Sequence, residues 1–163
     1  MFAEDVRDQA KAVLDRARVR GVTLATAESC TGGLVAGALT AIAGSSDVVA
    51  GGLVTYSNAA KTALLGVDAA LIADVGAVSA PVAKAMASGA VQRLGVGLAV
   101  AITGIAGPGG GSAEKPVGLV HFASATANGE VRHRERRFGD VGRDEVRLAS
   151  VKVALEMLSE RLG

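Results

Sequence analysis

Cysteine, aromatic residues and excess charge are all scarce in this chain of 163 residues. A single cysteine rules out an internal disulfide and fits a reducing, cytoplasmic setting. Aromatic residues make up only 2% of the sequence, so platforms for stacking nucleic acid bases are not expected. Lysine and arginine, 17 in number, nearly balance the 16 acidic residues, so the chain lacks the basic field that nucleic acid binding requires.

Membrane-spanning runs and metal-ligand clusters are missing as well. No apolar stretch reaches membrane-spanning length without glycine or polar breaks, and the charged N-terminal segment is not typical of a signal peptide. The two histidines and the cysteine do not have metal-ligand spacing. We therefore expect no membrane association, no metal site and no other cofactor.

Aliphatic and small residues dominate what remains, since half of the chain is hydrophobic and 22 residues are glycine. The length fits a single domain over residues 1–163 with one well-formed core. Short apolar runs alternate with segments of helical periodicity until a late Asn-Gly turn. The predicted strands are 22–27, 47–56, 96–103, 117–125 and 131–138, and the predicted helices are 3–19, 31–44, 57–66, 80–95 and 142–162.

This alternation predicts an α/β fold, namely a three-layer α/β/α sandwich with a mostly parallel sheet and an antiparallel edge hairpin. Ligands of such sheets bind beyond the carboxyl ends of the strands. Three predicted strands end there in polar residues, namely Ser29, Tyr56 and Thr103. Lys61 lies five residues after Tyr56, early in a predicted helix, and is expected to face the same crevice.

Residues 26–33, TAESCTGG, place three possible nucleophiles side by side: Ser29, Cys30 and Thr31. Neither Ser29 nor Thr31 begins a capping box, although either could be a plain helix cap. Glu28 precedes them and could hold a lysine, orient a substrate or satisfy backbone donors. The sequence pattern alone does not choose between a reactive corner and the polar start of a helix.

The other polar residues also have plain structural interpretations. Tyr56 could be a residue of a strand edge, Lys61 a surface lysine and Thr103 an ordinary strand residue. The segment 104–116 is rich in glycine but matches neither a Walker A loop nor a dinucleotide fingerprint. It is interpreted as a surface loop, with exposed N–H groups for an anion as the alternative. Structural roles are favoured for His121 and His133.

Four stretches together carry a family resemblance: AESCTGG, GGLVTYSNAAKTALLGV, GAVSAPVAKAMASGA and AITGIAGPGGGSAEKPVG. In this order they are similar to the CinA C-terminal domain family, in its stand-alone form, over nearly the whole chain. The resemblance implies hydrolysis of the carboxamide of nicotinamide mononucleotide, giving nicotinate mononucleotide and ammonia. It thus implies a hydrolase of pyridine nucleotide salvage, in NAD metabolism, with a small-molecule pyridine nucleotide as its partner.

The resemblance also implies residue roles. Ser29 matches the catalytic serine, Lys61 its activating partner and Tyr56 a further catalytic position. The site arginine is Arg143, with Arg147 as the alternative, because GDVGRDEVR departs from the Gly-Asp-Arg that many relatives carry. The predicted substrate-binding residues are Thr31, Gly32, Thr103, Gly104 and Arg143.

The implied chemistry agrees with what amide hydrolysis needs. A serine requires a base, and a desolvated lysine can serve as one. Backbone N–H groups from Thr31 to Gly33, at a helix start, could stabilise an oxyanion. The alternatives are a cysteine amidase that uses Cys30, a module that binds pyridine nucleotides or assembles without turnover, and hydrolysis of a related amide. A homo-oligomer is also implied.

Overall fold

The computed structural model describes residues 1–163 and contains one five-stranded sheet between two layers of helices. The strands are β1 (Leu24–Glu28), β2 (Val49–Val54), β3 (Leu98–Gly104), β4 (Leu119–Thr126) and β5 (Val131–Arg137). The α-helices are α1 (Glu4–Arg20), α2 (Leu34–Thr40), α3 (Asn58–Leu65), α4 (Ala69–Val75), α5 (Ala80–Leu94) and α6 (Arg143–Leu162), and a short 3₁₀ helix covers Ser45–Asp47.

The sheet has the strand order β2-β1-β3-β4-β5. β1 pairs in parallel with both β2 and β3, whereas β4 runs antiparallel to β3 and β5. Four of the five strands therefore point the same way, and β4 and β5 form an edge hairpin. The predicted α/β/α sandwich with its antiparallel edge is confirmed.

The two faces of the sheet bury different side chains. The α2 face, covered by α1, α2 and α6, receives bulky residues such as Leu24, Ile102 and Phe122. The α3 face, covered by α3, α4 and α5, receives mostly alanines of the strands, including Ala27 and Ala101. Successive strand residues point to opposite faces, so neighbours in sequence enter different surroundings.

Close packing against α5 lets α3 lie close to the sheet. A Cβ atom at Gly89 of α5 would collide with the backbone carbonyl of Leu65, the last residue of α3. Ser57 caps the other end of α3 and accepts a hydrogen bond from Ala60 N–H at 3.0 Å. Lys61 and Leu65, one turn apart, form the buried side of this helix.

The structure differs from the predicted elements at three places. Helix α4 was missed, because it has only seven residues and its one buried residue, Ile72, gives no helical periodicity. β2 ends at Val54, so Tyr56 follows the strand rather than ending it. α2 begins only at Leu34, because Gly32 and Gly33 adopt positive φ angles of 57° and 98°. None of the helices combines the length and the apolar character needed to cross a membrane.

Candidate active site

The carboxyl ends of β1, β2 and β3 meet at one edge of the sheet and carry the candidate site. Backbone pairing continues beyond the strands, since Ser29 N–H donates to the Ile102 carbonyl at 2.9 Å. Thr55 N–H likewise donates to the Glu28 carbonyl at 2.8 Å. These bonds hold the backbone of residues 29 and 55 side by side, on a rigid sheet edge.

Ser29 and Lys61, 32 residues apart in the chain, are in direct contact. Lys61 Nζ lies 3.0 Å from Ser29 Oγ and 2.9 Å from the Thr55 carbonyl oxygen. Lys61 is 1% exposed and Ser29 is 8% exposed. The amine forms no ion pair with a carboxylate, which is unusual for a buried lysine.

Burial lowers the pKa of the Lys61 ammonium below its ordinary value, because no carboxylate compensates for the lost hydration. A neutral amine here has two N–H donors and one lone pair. The Thr55 carbonyl takes one donor, and the lone pair is then free to accept the Ser29 hydroxyl proton. The geometry thus suits an amine that acts as a base toward this serine.

Cys30 lies on the opposite face of the sheet from Ser29. Its side chain packs in the core under α1, α2 and α6, and it is 5% exposed. Burial raises the pKa of the Cys30 thiol to about 12. A protonated, buried thiol is a poor nucleophile, so the structure argues against the predicted alternative in which Cys30 attacks.

The backbone after Ser29 offers free donors, although not all of those that were predicted. Gly32 N–H is engaged with the Ser29 carbonyl at 3.0 Å and closes a tight turn. The predicted donors at Thr31 and Gly33 are free, and so is the N–H group of Cys30, since none of the three donates to an acceptor in the protein. Thr31 is fully buried, and its hydroxyl also has no partner. Buried, unpaired N–H groups are rare, and two in succession beside a serine hydroxyl resemble an oxyanion hole.

Glu28, which the sequence left without a role, caps helix α2. Its carboxylate accepts hydrogen bonds from Val35 N–H at 2.9 Å and Ala36 N–H at 3.0 Å, and a third from the Thr26 hydroxyl at 3.2 Å. It is fully buried. A negative charge at a helix N-terminus is stabilised by the helix dipole. Of the three predicted roles, Glu28 therefore satisfies backbone donors.

Arg143 and Arg147 lie in different parts of the site, Arg143 at its entrance and Arg147 against the turn after Ser29. Arg143 donates to the Tyr56 hydroxyl at 2.9 Å and to the Gly107 carbonyl at 2.8 Å. Tyr56 is 61% exposed and forms no hydrogen bond with Ser29 or Lys61. Arg143 and Tyr56 thus form the open mouth of the site. Arg147 instead reaches backbone carbonyls of the turn after Ser29.

Thr103 and Gly104 lie at the end of β3, where both make structural contacts with neighbouring segments. The Thr103 hydroxyl donates to the Ala77 carbonyl at 2.9 Å and ties the α4–α5 connection to the sheet. A Cβ atom at Gly104 would meet the side chain of Val120 at 2.7 Å. Both residues shape the wall beside Ser29, and neither contacts Ser29 or Lys61 through a side-chain hydrogen bond.

The glycine-rich loop and the histidines lie beside this site. The loop lines a surface cavity of about 570 Å³ together with Arg137 and Asp140. His121 and His133 meet across the edge hairpin, with Nδ1 and Nε2 2.9 Å apart. Burial lowers the pKa of both histidines. No group of three or more His, Cys, Asp or Glu side chains has the geometry of a metal site.

Sequence reasoning missed two contacts of the site, namely that of the Thr55 carbonyl with Lys61 and those of Arg147 with the backbone, and it left the role of Glu28 open among three. A backbone carbonyl leaves no signal in side-chain identity. For Glu28, the two glycines before α2 were an available signal, since a helix that starts without a polar cap residue requires a cap from elsewhere.

The fold and the site together define a three-layer α/β/α domain with a buried serine–lysine pair at the carboxyl edge of its sheet. A profile of the CinA C-terminal domain matches residues 6–162. The chain belongs to the CinA C-terminal domain family, and the resemblance inferred from its motifs is confirmed.

Relatives and solved structures agree with this membership. A CinA-like protein of Mycolicibacterium gilvum is 56% identical over 166 residues, and one of Synechococcus sp. is 55% identical over 162 residues. These alignments cover 100% and 99% of this chain but 38% and 39% of the relatives, so the chain spans about two fifths of their length.

Among solved structures, the competence/damage inducible protein CihA of Agrobacterium tumefaciens is similar, with a TM-score of 0.96 and 55% identity. That alignment covers 99% of this chain and 98% of the other. A competence-damaged protein (CinA) superfamily member of Klebsiella pneumoniae aligns with a TM-score of 0.91 and 36% identity, over 96% and 97% of the two chains. The whole domain, not only its motifs, is therefore of the CinA type.

Proposed function

We propose that this protein is a cytoplasmic nicotinamide-nucleotide amidase that hydrolyses nicotinamide mononucleotide to nicotinate mononucleotide and ammonia. The observation that supports this most directly is the buried contact of 3.0 Å between Lys61 Nζ and Ser29 Oγ. The motif resemblance supplies the substrate, and membership of the CinA family is consistent with it.

In the first half of the proposed reaction, Ser29 Oγ attacks the carboxamide carbon while Lys61 takes the hydroxyl proton. The carbonyl oxygen becomes an oxyanion, which the free N–H groups of Cys30 and Thr31 stabilise. Lys61 returns the proton to the amide nitrogen, and ammonia leaves. The product of this half is an ester of Ser29 with the nicotinate group.

In the second half, Lys61 takes a proton from water, and the resulting hydroxide attacks the ester carbonyl. The ester bond breaks, Ser29 Oγ recovers its proton from Lys61, and nicotinate mononucleotide is released. Neither half requires a redox change. Losing one oxyanion donor raises the activation barrier by about 3 kcal/mol in comparable sites. The two N–H groups would therefore supply a substantial part of the proposed rate enhancement.

The mouth of the site suits the charged part of this substrate. Nicotinamide mononucleotide carries a phosphate, and the exposed guanidinium of Arg143 is available to bind it at the entrance. Tyr56, which accepts a hydrogen bond from Arg143, orients that guanidinium. We assign Tyr56 to this positioning role rather than to proton transfer, because it makes no hydrogen bond with Lys61.

The test is ammonia release from a panel of pyridine nucleotides, with and without a chelator, by the wild type, Ser29→Ala, Lys61→Ala and Cys30→Ala. We expect turnover of nicotinamide mononucleotide by the wild type and by Cys30→Ala only. Near-normal turnover by Ser29→Ala would refute the serine mechanism. Binding of the nucleotide without any ammonia release would instead favour a non-catalytic binding module.

A further inference from the structure

Arg147, on the second turn of α6, donates both of its hydrogen bonds to the backbone of the turn that follows Ser29. Nε lies 3.1 Å from the Cys30 carbonyl oxygen, and a terminal nitrogen lies 3.3 Å from the Thr31 carbonyl oxygen. The side chain is half-buried and is bonded to no carboxylate. A cation near a helix N-terminus opposes the helix dipole, so this position is electrostatically costly and calls for an explanation.

The first of these bonds acts on the unpaired Thr31 N–H. The Cys30 carbonyl and the Thr31 N–H belong to one planar peptide group and point in opposite directions. A charged donor on the carbonyl oxygen draws electron density toward it and makes the N–H at the other end a stronger donor. That N–H has no acceptor in the protein and lies two residues after the Ser29 nitrogen.

The second bond acts on Ser29 itself. The Thr31 carbonyl and the Gly32 N–H share the next peptide group, and Gly32 N–H donates to the Ser29 carbonyl at 3.0 Å. Arg147 therefore strengthens the bond that closes the turn on Ser29. Gly32 permits this approach, because a Cβ atom there would lie 3.3 Å from the Arg147 guanidinium and the φ angle is positive.

We propose that Arg147 is a positioning residue for the reaction, which acts by polarising the Cys30–Thr31 peptide and by fixing the turn that carries Ser29. This inference rests on the proposed role of Ser29 as a nucleophile. It gives a role of its own to each of the two arginines that the sequence offered, Arg143 first and Arg147 as the alternative. Arg143 binds substrate at the mouth, and Arg147 polarises the peptide that carries the Thr31 N–H.

The test measures the nucleophilicity of Ser29 with a fluorophosphonate probe, which needs no pyridine nucleotide. In that reaction Ser29 Oγ bonds to phosphorus, fluoride leaves and Lys61 accepts the proton. The labelling rate and the kcat and KM for nicotinamide mononucleotide are compared for the wild type, Arg147→Ala and Arg147→Lys. Arg7→Ala is the matched control, since Arg7 is an exposed helix arginine without a side-chain hydrogen bond.

We expect Arg147→Ala to lower both the labelling rate and kcat by roughly 10- to 100-fold, the range for a slightly misplaced or weakened catalytic group, with KM almost unchanged. Arg147→Lys should recover part of the loss, and millimolar guanidinium should partly rescue Arg147→Ala. Arg7→Ala should match the wild type.

Wild-type labelling of Arg147→Ala would overturn the inference. So would a loss of rate that accompanies a lower melting temperature and that neither lysine nor guanidinium restores, because the role would then be merely structural. The proposed function fails by a different result, namely ammonia release by Ser29→Ala. Labelling of a residue other than Ser29 in the wild type would overturn both.

Discussion

The two faces of the sheet place adjacent residues in opposite chemical surroundings. On the α3 face, Ser29 meets an unpaired lysine whose pKa burial lowers. On the α2 face, Cys30 meets an apolar core and burial raises the pKa of its thiol to about 12. The thiol, intrinsically the better nucleophile, is thus buried and protonated, whereas the serine hydroxyl lies beside a desolvated lysine amine. Surroundings, not side-chain type, distinguish the two positions.

Moving the thiol to the other face tests this contrast most strongly. We expect the double variant Ser29→Cys with Cys30→Ala to react with iodoacetamide at neutral pH roughly 1,000-fold faster than the wild type, because a thiol beside a lysine ionises readily. Mass spectrometry of the modified protein gives both rates. Equal rates in the two proteins would show that the faces do not differ in this way.

Replacing Lys61, the proposed base, should have an effect of comparable size. In the proposed mechanism Lys61 must be neutral to accept a proton, and its pKa is lowered. The proposed amidase activity should therefore rise with pH through that lowered value and level off below the ordinary lysine value of 10.5. Lys61→Arg should lose roughly 100- to 10,000-fold in kcat, since guanidinium stays protonated. A kcat profile from pH 6 to 10 checks both expectations.

The lowered pKa of Lys61 also predicts how stability depends on pH. The unfolded chain binds the Lys61 proton up to pH 10.5, whereas the folded chain releases it at lower pH. Stability of the wild type should therefore increase as pH rises between these two values, and Lys61→Met should remove that part of the slope. If the slopes of wild type and variant were the same, the lysine would not be desolvated in the way described.

On the α2 face, Glu28 supports the turn after Ser29 by capping helix α2. Glu28→Ala leaves the buried N–H of Val35 and the part-buried N–H of Ala36 without an acceptor, and we expect a loss of about 2–4 kcal/mol in the free energy of unfolding. Asp68→Ala is the matched control, because Asp68 caps α4 at an exposed site and should cost only about 1 kcal/mol. Urea unfolding measures both, and similar losses would contradict a special role of Glu28.

The histidine pair on the edge hairpin should give a smaller effect. Burial lowers the pKa of His121, with His133, Lys115 and Arg137 adding to the shift and Glu135 opposing it. The unfolded chain takes up protons near the usual value of 6.5 before the folded one does, so stability should fall as pH drops below 6.5. Melting temperatures at pH 7.5 and 5.5 should differ more in the wild type than in His121→Asn.

The smallest expected effect is that of Cys30→Ala, which should leave kcat and KM unchanged, because the thiol lies in the core on the far side of the backbone. Loss of a buried sulfur lowers stability without touching the chemistry. Steady-state kinetics at 25 °C check this. A large fall in kcat would instead support the alternative in which Cys30 is the nucleophile.

The sequence predicted the layers and the sheet edge well, because the alternation of strands with helices and the glycines that end helices are local signals. It also placed Ser29 and Lys61 at one edge, but their contact depends on how α3 packs, which no local pattern encodes. Helix α4 was missed, since one buried Ile72 gives no periodicity. The different contacts of Arg143 and Arg147 could not be predicted, because the sequence does not reveal which carbonyls lie within reach of each.

The backbone contact between Gly89 and Leu65 limits which glycines can be replaced to raise the stability of this protein. Exchanging a helical glycine for alanine usually gains about 0.5–1 kcal/mol. At Gly37 of α2 the added methyl group would make ordinary contact with the Phe2 ring at 3.6 Å, so that gain is available. At Gly89 it would push the helix of Lys61 away from the sheet. A selection for heat resistance alone should therefore accept alanine at 37, while a selection for turnover keeps glycine at 89.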